Sequence, residues 1–230
     1  MAFTAADVIA KASTLLLDGD AVRWTAQELR GYLNDALREL VALKPTAKTA
    51  TVNLTLAAGC KQALPAEYTV LSRVICNRIT GNSRAIQRLE NADIMDAVIP
   101  GWQHPSFLPY SAAVASVIHD LADPRTFYVV PGNTGDGIIE AVVGRMPAQI
   151  PVPGANPDLV ASYTTAVDVP DIYQNALVDY VMYRSYSKDS GAPNAAARAV
   201  AHFQAFQNGV NQFTTAETSL SLAAQAATTT

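Results

Sequence analysis

Residues 25–56 read TAQELRGYLNDALRELVALKPTAKTATVNLTL, and within this stretch the chain passes from one backbone rhythm to another. Leu29, Tyr32, Leu33, Ala36, Leu37, Leu40 and Val41 recur at steps of three and four, which at about 3.6 residues per turn sets them on one side of a helix. Arg30, Asp35, Arg38 and Glu39 fall off that stripe, so one face is buried and the other is wet. Thr25 with Glu28 three residues later has the form of a capping box that starts the helix. Lys44-Pro45 ends it, because the residue before a proline is pushed out of helical geometry. Beyond Thr49 the chain turns to short runs rich in Val, Ile, Thr and Tyr, parted by Gly, Pro, Asn and Asp, which is the pattern of strands joined by turns.

Toward the N-terminus, Thr4 with Asp7 predicts the start of an earlier helix running to Leu17, with Phe3 placed to staple onto Val8. Asp18-Gly19-Asp20 is the turn between the two helices. Toward the C-terminus, strands are expected at 51–56, 70–79, 113–119, 126–130 and 138–145, with a short helix at 91–98 before Pro100. Pro147, Pro151, Pro153, Pro157 and Pro170 mark an extended connection. Asp168 with Asp171 then caps a third helix whose inner face carries Ile172, Tyr173, Ala176, Leu177, Tyr180 and Val181. Gly191-Ala192-Pro193 breaks it and opens a fourth, with Ala196, Ala199, Val200, Phe203 and Val210 as a thin seam.

The fold class expected is therefore α+β, a helical bundle built from N- and C-terminal helices with an inserted β-rich domain. Residues 1–48 supply the N-terminal helices of the bundle, 49–170 the β-rich insertion, 171–213 its C-terminal helices and 214–230 an extended C-terminal arm. That last segment holds one charge, Glu217, and no aromatic, so it cannot bury enough apolar area to order itself alone. Leu220 and Leu222 alternate with Ser219 and Ser221 and would share one side of an added strand, and a helix through Leu222 to Ala227 is the other possibility.

Half of the residues are apolar while only 16% are charged, so Ala, Thr, Ser, Asn and Gln must supply much of the surface, which suits permanent assembly. No strong self-association patch stands out, so the isolated subunit is expected to be a monomer that needs the portal as a template to form a ring. The formal charge of -4 gives no basic stripe for holding phosphates, yet a mildly acidic wall would let a duplex slide past. Cys60 and Cys76 do not suggest a disulfide scaffold, no apolar stretch is long enough for a membrane span, and a reducing cytoplasm is the default compartment.

No metal or other cofactor is expected, since His104, His119, His202, Cys60 and Cys76 lack ligand spacing. A small hydrolase would need a G-x-S-x-G elbow or an activated cysteine, and neither is present. Gly132-Asn133-Thr134-Gly135-Asp136-Gly137 lacks the Lys-Ser/Thr ending of a phosphate loop and reads as a hairpin turn. Tyr173 and Tyr180 belong to the core. Tyr183 and Tyr186 point off the main stripe, and with Arg184, Leu220 and Leu222 they are the candidate partner interface.

Several blocks together resemble a known family. They are Val22-Arg23-Trp24-Thr25 with Glu28-Leu29, Asn34-Asp35-Ala36, Leu43-Lys44-Pro45, Gly59 with Gln62, Leu64-Pro65, Pro100-Gly101-Trp102, Asp123-Pro124 before Phe127-Tyr128-Val129-Val130-Pro131, and the run from Asp179 to Asp189. In this order they resemble the phage head-to-tail adaptor (connector) proteins, which hold the neck position of the tail tubular protein A of short-tailed phages. The resemblance implies a structural virion protein of the neck, made in the host cytoplasm, with no catalytic residues. It also implies a ring of dodecameric symmetry, docking to the portal protein and to a tail tube or nozzle protein, and a passage for double-stranded DNA. A tail terminator or other head-completion subunit would share the ring but bind different partners.

Overall fold

The computed structural model describes residues 3–79, 84–89, 92–119, 123–189, 191 and 193–227, with side chains described up to residue 215 apart from Ile94. The chain forms α1 (Ala5–Leu16), α2 (Ala26–Leu43), β1 (Thr49–Thr55), β2 (Gly59–Ala63), β3 (Tyr68–Asn77), β4 (Gln87–Leu89), α3 (Asp93–Val98), β5 (Ser116–His119), β6 (Thr126–Asn133), β7 (Ile138–Arg145), α4 (Gln174–Lys188) and α5 (Ala195–Ala227). Short 3-10 turns at Val160–Ser162 and Asp171–Tyr173 precede α4. Two compact units result, one of Met1–Ala47 with Pro147–Thr230 and one of Lys48–Met146.

In the first unit, Thr4 and Asp7 close the predicted capping box, the Thr4 amide donating to the Asp7 carboxylate at 2.7 Å. Thr25 caps α2 by accepting from the Glu28 amide at 3.2 Å. The Glu28 carboxylate turns elsewhere and accepts from the Tyr32 hydroxyl and the Lys188 ammonium, each at 2.7 Å. Leu29, Leu33, Ala36, Leu37 and Leu40 are buried as the stripe requires, and Trp24 joins the same core. The proline-rich segment adds Ile150, Tyr163, Val167 and Val169 to that core without being helical. Asn34 fixes it from α2: its Oδ1 accepts from the Ile150 amide at 2.8 Å and its Nδ2 donates to the Ile150 carbonyl at 3.1 Å, while Arg30 Nε donates to the same carbonyl at 2.7 Å.

The second unit is a pair of sheets, ordered β1-β7-β3 and β2-β6-β5-β4. All strand pairs are antiparallel except β4 with β5. Leu54, Leu71, Ile139, Ala141 and Val143 of the first sheet and Val117, Phe127 and Val129 of the second fill one core. A smaller cluster on the second sheet joins Cys60, Ile118 and Val130 to Met95 of α3 and Trp102.

Several expectations are corrected. A bundle of terminal helices carrying a β insertion is too simple, and the fold is a mixed α+β one with the β-rich part at the centre of the chain. One of the five α-helices among the described residues, α3, lies among the strands, and the core around α1, α2 and α4 is completed by irregular chain rather than by helices alone. Gly132–Gly137 is no hairpin, because β6 and β7 belong to different sheets and the loop crosses between them. The buried Asn133 side chain holds this crossing by accepting from the Gly135 and Gly137 amides and donating to the Ser111 and Ala112 carbonyls. A Cβ on Gly137 would collide with that amide.

No strand forms at Leu220 and Leu222 either, since α5 continues through them. Alanine is the best helix former, and extending an existing helix avoids the cost of a new nucleus. The buried seam of α5 is Ala195, Ala199, Phe206 and Val210, while Ala196 and Val200 are exposed. No side-chain cap from Asp168 or Asp171 opens α4, which grows out of the 3-10 turn before it.

Candidate assembly interface

Helix α4 is buried on more than one side, with α5 against one flank and α1 and α2 against others. Its tyrosines zip it to α5 in antiparallel register. Tyr186 stacks on His202 with centroids 5.7 Å apart, Tyr183 meets Phe203 at 4.9 Å, Tyr180 meets Phe206 at 5.1 Å, and Tyr173 just before α4 meets Phe213 at 5.4 Å. Gly209 lies beside Ala176 in the same ladder, and a hydrogen bond or ion pair of 2.9 Å joins His202 Nδ1 to Asp179. Tyr183 and Tyr186 are thus half-buried groups spent largely on α5. Arg184 lies over the Tyr32 ring at 5.6 Å and reaches Asp35 at 3.7 Å, so it ties α4 to α2. Burial, helped by the Glu28 hydrogen bond, pushes the Tyr32 hydroxyl up to about 12.

The α1–α2 turn is fastened to the far end of α4. Asp18 accepts from the amides of Val22 and Arg23 at 3.0 Å and of Trp24 at 2.8 Å. Trp24 Nε1 donates to the Ser185 carbonyl at 3.3 Å, Lys188 donates to the Arg23 carbonyl at 3.3 Å, and the Arg23 guanidinium contacts Asp189. The Trp24 amide, chief among these donors, holds the Asp18 carboxyl below its usual range. A depressed folded pKa means stability that is present above the unfolded value and lost as pH falls through the folded one. Asp18→Asn is therefore expected to lower the melting temperature at neutral pH, with the gap to the parent closing on acidification below the ordinary aspartate range. A gap independent of pH would assign the effect to something other than the carboxylate.

The extension of α5 past Phe213 is the other distinctive feature. The aromatic ladder reaches the start of α4 at Phe213, yet the helix runs on from Thr214 to Ala227, about 21 Å at roughly 1.5 Å per residue. Leu220 and Leu222 lie on this extension, with side chains outside the described residues, so they do not join Tyr183, Arg184 and Tyr186 in a described site.

Burial raises the Cys60 thiol, and desolvation with a hydrogen bond to Glu140 raises that of Cys76, which disfavours thiolate at either position. Among the described residues no three His, Cys, Asp or Glu side chains converge on a metal position, and no described helix is long and apolar enough to cross a membrane.

The blocks singled out in the sequence prove to be holders of structure. Val22–Thr25 docks on the run Asp179–Asp189, and Gln62 bridges its own turn through Ala57 and Gly59. Arg125 donates to the carbonyls of Leu64 and Pro65, Asp123 accepts from Thr126, and Trp102 donates to Asp96 at 2.8 Å. The family model of the SU10 adaptor proteins matches residues 3–228, and the chain belongs to that family of phage adaptors. No match is found among curated proteins.

Proposed function

We propose that the protein is the head-to-tail adaptor of a phage neck, forming a ring between the portal protein and the tail and surrounding the passage of the double-stranded genome. The observation that carries this reading is the α5 extension, a helical arm that runs on from the point where its intramolecular ladder ends. A helical arm of this length can gain stability by lying against another chain, and the portal is the chain that an adaptor must hold. Family membership supports the adaptor role, and the mild negative charge suits a wall past which DNA slides. The ring is dodecameric on the analogy with other neck proteins, and Tyr186 and Arg184 are half-exposed enough to contribute to contacts between copies.

Electron microscopy of virions carrying a tagged copy tests the proposal. Density for the tag in a ring directly beneath the portal is the expected result. Density at the distal end of the tail, or inside the capsid, would overturn it.

A further inference from the structure

β1 is an open sheet edge of unusual regularity. It pairs with β7 along its whole length, from Thr49 opposite Gly144 to Thr55 opposite Ile138, without a register shift. The bonds just outside the strand, Arg145 amide to Lys48 carbonyl and Leu56 amide to Gly137 carbonyl, fix which residues face β7. By the alternation of an antiparallel ladder, Ala50, Val52 and Leu54 bond toward β7, whereas Thr49, Thr51, Asn53 and Thr55 turn their N–H and C=O groups outward. Those four residues are exposed, and no described residue bonds to the outward groups.

Other edges of the two sheets are blunted. β3 carries three register shifts and an exposed Arg73, and residues 84–86 cover one end of it through the Asn77–Arg84 and Ile86–Ile75 backbone bonds. β2 is five residues long with a shift and Lys61, and β4 has three residues, one of them Arg88. Charge, bulges and shortness are the usual protections of a free edge, and β1 has none of them.

We infer that β1 is a pairing edge whose occupant is β1 of a second copy, in an antiparallel two-fold contact centred on Val52. The sequence Thr49-Ala50-Thr51-Val52-Asn53-Leu54-Thr55 is self-complementary in that register. Thr49 faces Thr55 and Thr51 faces Asn53, so every outward-bonding residue meets another, and the hydroxyl and amide side chains pair on one face. On the other face Val52 meets Val52 and Ala50 meets Leu54, continuing the apolar side of the sheet. Neither strand brings a charge, so no like-charge repulsion opposes the pair. A two-fold contact closes on itself and does not propagate round a ring. It is therefore a contact of subunits outside the neck, independent of the proposed portal attachment.

Thr51→Pro tests this in the full chain. Proline removes an N–H that points away from β7, so the β1–β7 ladder keeps its bonds while the outer edge loses one. Sedimentation velocity over a wide concentration range should show the parent rising from its 24.4 kDa mass toward twice that value, with the variant staying at the subunit mass. Hydrogen exchange should show the Thr51 and Asn53 amides of the parent slowing as concentration rises. Thr51→Val keeps the N–H and should associate like the parent, separating pairing from misfolding. A parent that holds the subunit mass throughout, or a folded Thr51→Pro that associates equally well, would overturn the inference. So would association without protection of those amides.

Discussion

Phe206→Ala is expected to destabilise the protein by about 3–5 kcal/mol, the usual cost of emptying a fully buried aromatic site. Phe206 has no exposed surface and sits at the middle of the α4–α5 ladder, against Tyr180 at 5.1 Å and Phe203 at 6.3 Å. Helix α5 offers only a thin seam, so few neighbours can move in to fill the space. Urea unfolding followed by far-ultraviolet circular dichroism measures the change. Val200→Ala, six residues earlier and exposed, should shift the same curve by no more than about 0.5 kcal/mol. Comparable losses from the two changes would mean that the seam has been assigned to the wrong side of the helix.

How far α5 could be read from the sequence shows what periodicity carries and what it leaves out. The aromatic and small residues at 199, 203, 206 and 210 follow helical spacing, and Ala199, Phe203 and Val210 were legible as a seam. Ala196 and Val200 fit the same spacing but are exposed, because the zipper's angular position is set by the tyrosines of α4 rather than by α5 itself. Tyr183 and Tyr186 read as off-stripe for the same reason in reverse. A helix flanked on several sides buries a wider arc than one stripe, and Tyr183 and Tyr186 fill the arc toward α5.

In the β-rich unit, five strands announce themselves by composition, whereas β2, which reads Gly-Cys-Lys-Gln-Ala, lacks the Val, Ile, Thr and aromatic residues that mark a strand and β4 is too short to show a period. Nothing in Gly132–Gly137 says whether the next strand returns to the same sheet, and the hairpin reading failed there. Asn34 and Asn133 were invisible as clamps, since a lone asparagine reads as a surface or turn residue until its backbone partners are known. The bare edge of β1 was equally hidden. Its outward groups belong to the backbone, and composition does not show which strand ends a sheet.

Removing residues 214–230 is expected to leave the subunit folded, with nearly unchanged melting, and to reduce its attachment to the portal by at least tenfold. Folding should survive because the truncation keeps Phe213 and the aromatic contacts that join α5 to α4, and Thr214 and Thr215 are already exposed. The severed part is helical to Ala227, so it enters the complex as a preformed rod rather than a coil. Ordering a coil would consume roughly 1–2 kcal/mol per residue in backbone entropy, and a helix that has already met that cost binds more tightly for the same surface. Apolar contacts along such a rod need amount to only about 1.4 kcal/mol for each tenfold gain in affinity. Surface plasmon resonance with immobilised portal rings measures the loss, and circular dichroism of the truncated chain should show less helix in proportion to the residues removed. If the truncated subunit binds portal as tightly as the parent, α5 beyond Phe213 is not the attachment device, and the docking surface must be sought on the parts of the protein that remain.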